Sequence, residues 1–155
     1  MNQVVAQHSE ETFLILSLHN ELYAIPVEQV HYILCPKTII PIPDAPFYVK
    51  GVINHRGKVV PISCLRMMLR FPPHSKSRTI VVILEEDAIR NGIVVDKVLE
   101  VVAISTDQIE DAPKWNDEDR LVHRIAHHDD KACLILELRH ILKDIPKLLK
   151  SEGQV

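Results

Sequence analysis

Glycine is scarce in this 155-residue chain, with four residues in all. That disfavours glycine-rich phosphate loops. Gly51 to Gly57 is the segment to test. Five residues separate its glycines where a P-loop has four, and Gly57-Lys58 is followed by Val59 instead of Ser or Thr, so the test fails. GxGxxG, GxSxG and HExxH are also missing. Cysteine occurs three times, as Cys35, Cys64 and Cys133, with no CxxC. An odd count without that spacing argues against a disulfide framework and fits a reducing cytosol. Each cysteine reads as a small buried hydrophobe. No apolar run exceeds that of Ile80 to Leu84, far short of the roughly 20 residues a membrane helix needs. Met1 to Glu11 has neither the basic head nor the apolar stretch of a signal peptide. An excess of basic charge is lacking too: 18 Lys and Arg against 21 Asp and Glu give −3. With a pI near 6.3, a general nucleic-acid binder is disfavoured, because phosphate neutralisation needs a basic footprint.

What is present is a globular composition, 46% hydrophobic and 25% charged. Disorder is excluded on that balance, and the length suits one domain with a real core. Residues 1–11 read as a flexible N-terminus, 12–149 as a single domain and 150–155 as a flexible tail. Thr12–Leu18 and Leu22–Ile25 are β-rich around a His19-Asn20-Glu21 turn. From Pro26, the stripe Val27, Val30, Ile33, Leu34 predicts a short helix ended by Pro36. Ile39–Pro46 is a stiff, proline-containing link. Phe47–Pro61 predicts two strands around His55-Arg56-Gly57, with Asn54 and Gly57 as turn formers. Leu65, Met68 and Leu69 predict a helix within Ile62–Phe71.

The second half repeats the β character. Arg78–Leu84 is apolar on both faces, so it should be buried on both sides or curl into a barrel. Glu85-Glu86-Asp87 comes next as a charged turn. Gly92–Asp96 and Val98–Val102 are two further strands, and Ile104–Asp119 reads as a polar loop. Leu121–Ala126 and Ala132–Leu138 flank a His-rich hairpin turn, His127 to Lys131. His140–Leu149 predicts an amphipathic helix interrupted by Pro146. Many short, closely spaced strands without a visible sequence repeat favour one or two small barrels.

Residue patterns that carry catalysis are few. His127 and His128 should point to opposite faces of a strand, and no cysteine stands at zinc spacing. Acidic clusters at 85–87, 117–119 and 129–130 fall in expected turns, where solvated carboxylates are the default. Ser63 lacks the elbow glycines of a hydrolase nucleophile. A small cysteine- or metal-dependent enzyme using Cys64 or the His-rich hairpin stands as the alternative. The absence of a convergent polar constellation favours a non-catalytic binding module.

Phe47-Tyr48-Val49-Lys50-Gly51-Val52-Ile53-Asn54-His55-Arg56-Gly57-Lys58-Val59-Val60-Pro61 resembles the signature of the CheW-like domain family, the coupling proteins of bacterial chemotaxis. Leu22–Val30 resembles the family's first hairpin and helix, Ile39–Pro46 its proline-containing link, and Gly92–Val101 its G-[IL]-x-V-D-x-V-x-x-V stretch. The resemblance runs from about Thr12 to about Leu149. It implies a mainly β fold of two intertwined five-stranded SH3-like barrels with short helices and a C-terminal helix. It implies no enzyme activity and no cofactor or metal. The implied role is an adaptor between the cytoplasmic tip of chemoreceptors and the regulatory domain of a CheA-type histidine kinase. The place would be the cytoplasm, in arrays at the inner membrane, with no membrane insertion and no nucleic acid.

Carried over residue by residue, receptor or kinase contact falls on Val30, Ile33, Lys50, Gly51, Asn54, Arg56, Gly57, Val98 and Val101. Arg56 leads, because a guanidinium fork in a turn suits an acidic or carbonyl-rich partner. Its bland rival is a salt bridge within the domain. For Val30, Ile33, Val98 and Val101 the rival is core packing. For Gly51 it is a special backbone angle, and for Asn54 a turn-shaping hydrogen bond. Four departures stand out. Cys64 takes the family's usual acidic position, His55 replaces an apolar residue, Tyr32 stands where an acid often occurs, and Arg124-Ile125 precede Ala126 where glycine is common.

Overall fold

The structure is a computed structural model and describes residues 9–72, 78–113, 121–138, 142 and 145. The chain opens with strands β1 (Glu10–Leu18) and β2 (Glu21–Pro26). After a single 3-10 turn, Val27–Gln29, come β3 (Val30–Leu34), β4 (Val49–His55) and β5 (Lys58–Cys64). A one-turn helix α1 (Leu65–Met68) precedes β6 (Ile80–Glu86) and β7 (Ile89–Val95). The last four strands are β8 (Lys97–Ser105), β9 (Ile109–Asp111), β10 (Val122–His128) and β11 (Lys131–Leu136).

These strands form two sheets of the SH3-like barrel type. One runs β8-β1-β2-β11-β10-β9 and the other β3-β6-β7-β5-β4. The chain leaves the first sheet after β2, builds the whole second sheet, and returns through Asp96. That nesting intertwines them. The first sheet has six strands, because three-residue β9 pairs with β10 inside the stretch expected to be a polar loop.

The core explains the runs that are apolar on both faces. Phe13 and Ile15 of β1 pack with Ala24, Ile104, Ala126, Cys133 and Ile135 inside the first sheet. Leu14, Leu16 and Leu18 of the same strand turn the other way, onto Leu65, Val82, Leu84, Ile93 and Val95. β6 mirrors this, with Val82 and Leu84 in the shared cluster and Val81 and Ile83 in the second sheet's own core. A period-two strand between two apolar compartments must be apolar at every position. Each such Leu or Ile contributes about 1.5–3 kcal/mol relative to exposure, so β1 and β6 are the strands that hold the two sheets together.

Four hairpins use two-residue turns at His19-Asn20, Arg56-Gly57, Asp87-Ala88 and Asp129-Asp130. All eight residues have φ between 50° and 78°, the signature of the type I′ turn that matches strand twist. Glycine serves at one position of the eight. The chain's few glycines are therefore supplemented by Asn, Asp, His, Arg and Ala in the left-handed region, where L-residues cost about 1–2 kcal/mol each.

The structure corrects further sequence expectations. Glu85 and Glu86 belong to β6, so the turn there is Asp87-Ala88. The segment after Pro26 is a 3-10 turn and then β3, not one helix. Val30, Tyr32 and Leu34 alternate with the more exposed His31 and Ile33, and the strand pairs with β6. Residues 62–64 belong to β5, which shortens the helix in that region to α1. Glu10 and Glu11, expected in the flexible N-terminus, are β1 residues paired with Ser105 and Ile104. Cys35 is exposed, whereas Cys64 and Cys133 are buried as expected. Of the C-terminal helix, Leu142 and Ile145 are described; both are helical and lie in the shared core. The remainder of that helix and Pro146 lie outside the described residues.

Candidate partner-binding surfaces

Arg56 and Gly57 form the tip of the β4–β5 hairpin. Asn54 Oδ1 accepts a hydrogen bond from the Gly57 N–H at 3.2 Å, so Asn54 shapes the turn. Held in the left-handed region, Arg56 lays its guanidinium over the Tyr32 ring of β3, 4.4 Å from the centroid. Among the described residues it makes no salt bridge; this is a cation on an aromatic face, worth about 0.5–1 kcal/mol when exposed.

Tyr32 gathers two imidazoles as well. His31 meets its ring edge-on at 4.7 Å and His55 at 4.9 Å. His31 Nδ1 lies 3.1 Å from Glu85 Oε2, and the Arg90 Nε–H donates to the same oxygen at 3.3 Å. His55 Nε2 is buried without a hydrogen-bond partner among the described residues. Burial holds the His55 imidazole below its ordinary range, and Arg56, Arg90 and His31 push the same way. The hairpin tip thus presents a positive, aromatic surface.

The remaining predicted contacts divide by exposure. Ile33 is 46% exposed on β3, an end strand of its sheet. Val30 instead packs against the shared core. Lys50 is exposed at a register shift between Val49 and Gly51. Gly51 is buried with φ +147°, and an added Cβ would sit 2.0 Å from the Ile40 carbonyl oxygen. Its chain neighbour Val52 exchanges two backbone hydrogen bonds with Ile40, at 2.8 and 2.9 Å. Gly51 is therefore where the proline-containing link is pinned to β4.

Val98 and Val101 lie on β8, in the other sheet. They pair with Leu16 and Leu14, so both face the side of the shared core. Val98 packs into it. Val101 stays 57% exposed, with neighbouring Leu99 at 49%. The structure thus joins Asn54, Arg56 and Gly57 to β3, and sets Val98 and Val101 on a separate sheet.

Sequence reasoning missed the clamp at the crossing between the sheets. Arg66 Nε and Nη2 donate to Asp96 Oδ1 and Oδ2 at 2.8 and 2.7 Å, while Nη1 donates to the Pro72 carbonyl at 2.9 Å. The His19 N–H of the β1–β2 turn donates to the same carboxylate at 3.0 Å. The His19 ring stacks on Phe71 at 4.6 Å. Asp96 holds the Arg66 guanidinium still more firmly charged than usual. An arginine between Leu65 and Met67 in an apolar stretch was the available signal.

Cys64 and the His-rich hairpin show no convergence. Cys64 is buried at the end of β5. His127 Nε2 pairs with Glu110 at 3.1 Å and His128 Nε2 with Asp129 at 3.3 Å, two separate carboxylates. Among the described residues, no group of three or more His, Cys, Asp or Glu could hold a metal ion. No helix among them is long and apolar enough to cross a membrane.

The CheW-like domain family matches residues 12–146. The chain is 34% identical to the chemotaxis protein CheW of Klebsiella aerogenes over 145 residues, covering 92% of this chain and 83% of that one. Identity to the Helicobacter pylori chemotaxis protein CheW is 31% over 134 residues, with coverages of 84% and 81%. The crystal structure of the scaffolding protein TtCheW from Thermoanaerobacter tengcongensis superposes with a TM-score of 0.77 at 31% identity, covering 84% of this chain and 90% of that one. With the nested sheets, the signature hairpin and the Asp96 crossing in place, the chain belongs to the CheW-like domain family.

Proposed function

We propose that this protein is a non-catalytic chemotaxis adaptor that couples the cytoplasmic tips of chemoreceptors to the regulatory domain of a CheA-type histidine kinase. It works in the cytoplasm, in arrays at the inner membrane. The observation that carries this reading is the division of exposed contact residues between two sheets. Ile33, Lys50 and Arg56 lie on one, and Val101 with Leu99 on the other. A bridge needs two surfaces that can be occupied together. Each of these combines apolar area with a polar surround, as partner-binding patches do. The relatives' names, chemotaxis protein CheW and scaffolding protein, support the same role.

Arg56 is the leading contact because its tip offers fixed positive charge to a carboxylate or a row of carbonyls. Val30, Gly51 and Val98 support the surfaces by packing, and Asn54 and Gly57 shape the tip through its turn. The test is a calorimetric titration of Arg56→Ala and Val101→Asp against a receptor-tip fragment and, separately, the kinase regulatory domain. Each variant should lose about tenfold or more for at least one partner, near 1.4 kcal/mol. Wild-type affinity of both variants for both partners would overturn the assignment of these surfaces.

A further inference from the structure

His55 is the last residue of β4, directly before the Arg56 turn. An apolar side chain would fill this place with no electrostatic consequence. The imidazole instead brings a proton site into a cationic neighbourhood. Its Nε2 is buried and has no hydrogen-bond partner among the described residues. From β3, His31 and Tyr32 face it; from the turn, Arg56; from β7, Arg90. Across the hairpin its register partner is Lys58 of β5. The carboxylate at this tip is Glu85 of β6, already engaged by both His31 and Arg90. Among the described residues, a proton on His55 would therefore create a cation with no carboxylate paired to it, beside an arginine that rests on the same aromatic ring.

We propose that His55 is an acid-responsive element beneath the Arg56 turn: protonation of its imidazole forces Arg56 off the Tyr32 ring and weakens the hairpin surface for its partner. The proposal rests on the reading of that surface as a partner contact. The sign comes from the surroundings. Burial and the neighbouring cations keep the imidazole neutral in the ordered tip. An opened tip returns His55 to water and to its ordinary value near 6.5. Proton uptake therefore favours the open form, and acid shifts the population towards it. At neutral pH the tip is closed and competent.

Two measurements on the full chain test this. The first needs no partner: an NMR pH titration following the His55 ring protons, the Gly57 amide and the Arg56 guanidinium. The expected result is a His55 midpoint below about 6.5, with the Gly57 and Arg56 signals moving at that same midpoint. A midpoint at or above that value, or Arg56 and Gly57 signals that ignore it, overturns the proposal. The second is a titration with the kinase regulatory domain and the receptor-tip fragment across the same pH range, for wild type and His55→Leu. Affinity of the wild type for the partner held by the Arg56 tip should fall with acid, approaching about tenfold per pH unit below the His55 midpoint. His55→Leu should be markedly flatter. Equal acid sensitivity of both proteins overturns the proposal. No binding to either partner at neutral pH would count against the adaptor reading instead, while the NMR titration still decides the behaviour of the tip.

Discussion

Removing the Asp96 carboxylate should damage this protein more than any surface charge change. Asp96 and Arg66 are 13% and 10% exposed in their side chains and joined by two parallel hydrogen bonds. Asp96→Ala strips the partner from a largely buried guanidinium and the acceptor from the His19 N–H. Breaking a buried pair from one side costs about 3–5 kcal/mol, because the surviving charge is left uncompensated. An exposed pair would be worth about 0–1 kcal/mol. We expect a loss of about 3 kcal/mol for Asp96→Ala, at the low end because a little water reaches the pair. The assay is urea denaturation, reading the midpoint at constant slope. Arg66→Met combined with Asp96→Ala should recover part of the loss, since the stranded charge goes with its partner. A single-variant loss below about 1 kcal/mol, or a double variant as damaged as the sum of both singles, would refute the clamp.

Three further perturbations have defined outcomes. Ala88→Gly should stabilise by about 0.5–1 kcal/mol, because Ala88 sits at φ 64° in a type I′ turn that glycine adopts freely; thermal unfolding checks it. Gly51→Ala should cost about 2–4 kcal/mol by driving Ile40 off β4, since the added Cβ would fall inside the Ile40 carbonyl; denaturation gives the loss, and hydrogen exchange at Val52 locates it. Cys35 should react fast with a thiol reagent in the native protein, while Cys64 and Cys133 react only on unfolding. Burial raises the Cys133 thiol above its ordinary range and so reduces its thiolate further. Mass spectrometry of the labelled native protein should find one modified cysteine.

Periodicity best exposed a strand with two buried faces. The unbroken apolar run of β6 called for burial on both faces, and the structure supplies two compartments; that β1 is buried the same way emerged only from the fold. Periodicity misled after Pro26, because Val27, Val30 and Ile33 satisfy a helical spacing while β3 is fixed by long-range pairing with β6, far along the chain. Turn chemistry was legible at Asn54 and Gly57, where the hydrogen bond is local. Asp87-Ala88 carried no glycine to announce it. In the candidate site, Arg56 stood out as a charged residue in a turn, but its seat on Tyr32 joins β3 to the β4–β5 hairpin and is invisible without the fold. Val30 and Val98 illustrate the complementary limit. Their positions suggested contact or core packing alike, and the fold sets both half-buried against the shared core.

The measurement that bears most directly on the adaptor reading is a bridging assay. A receptor-tip fragment is immobilised and the kinase regulatory domain applied with and without this protein. A protein that bridges the two should retain the kinase domain in proportion to the amount added. Arg56→Ala should reduce retention by about tenfold or more, while its thermal unfolding stays within about 1 kcal/mol of wild type. Kinase retention that is independent of this protein would contradict the adaptor reading, and protein-dependent retention that Arg56→Ala leaves unchanged would take Arg56 out of the contact.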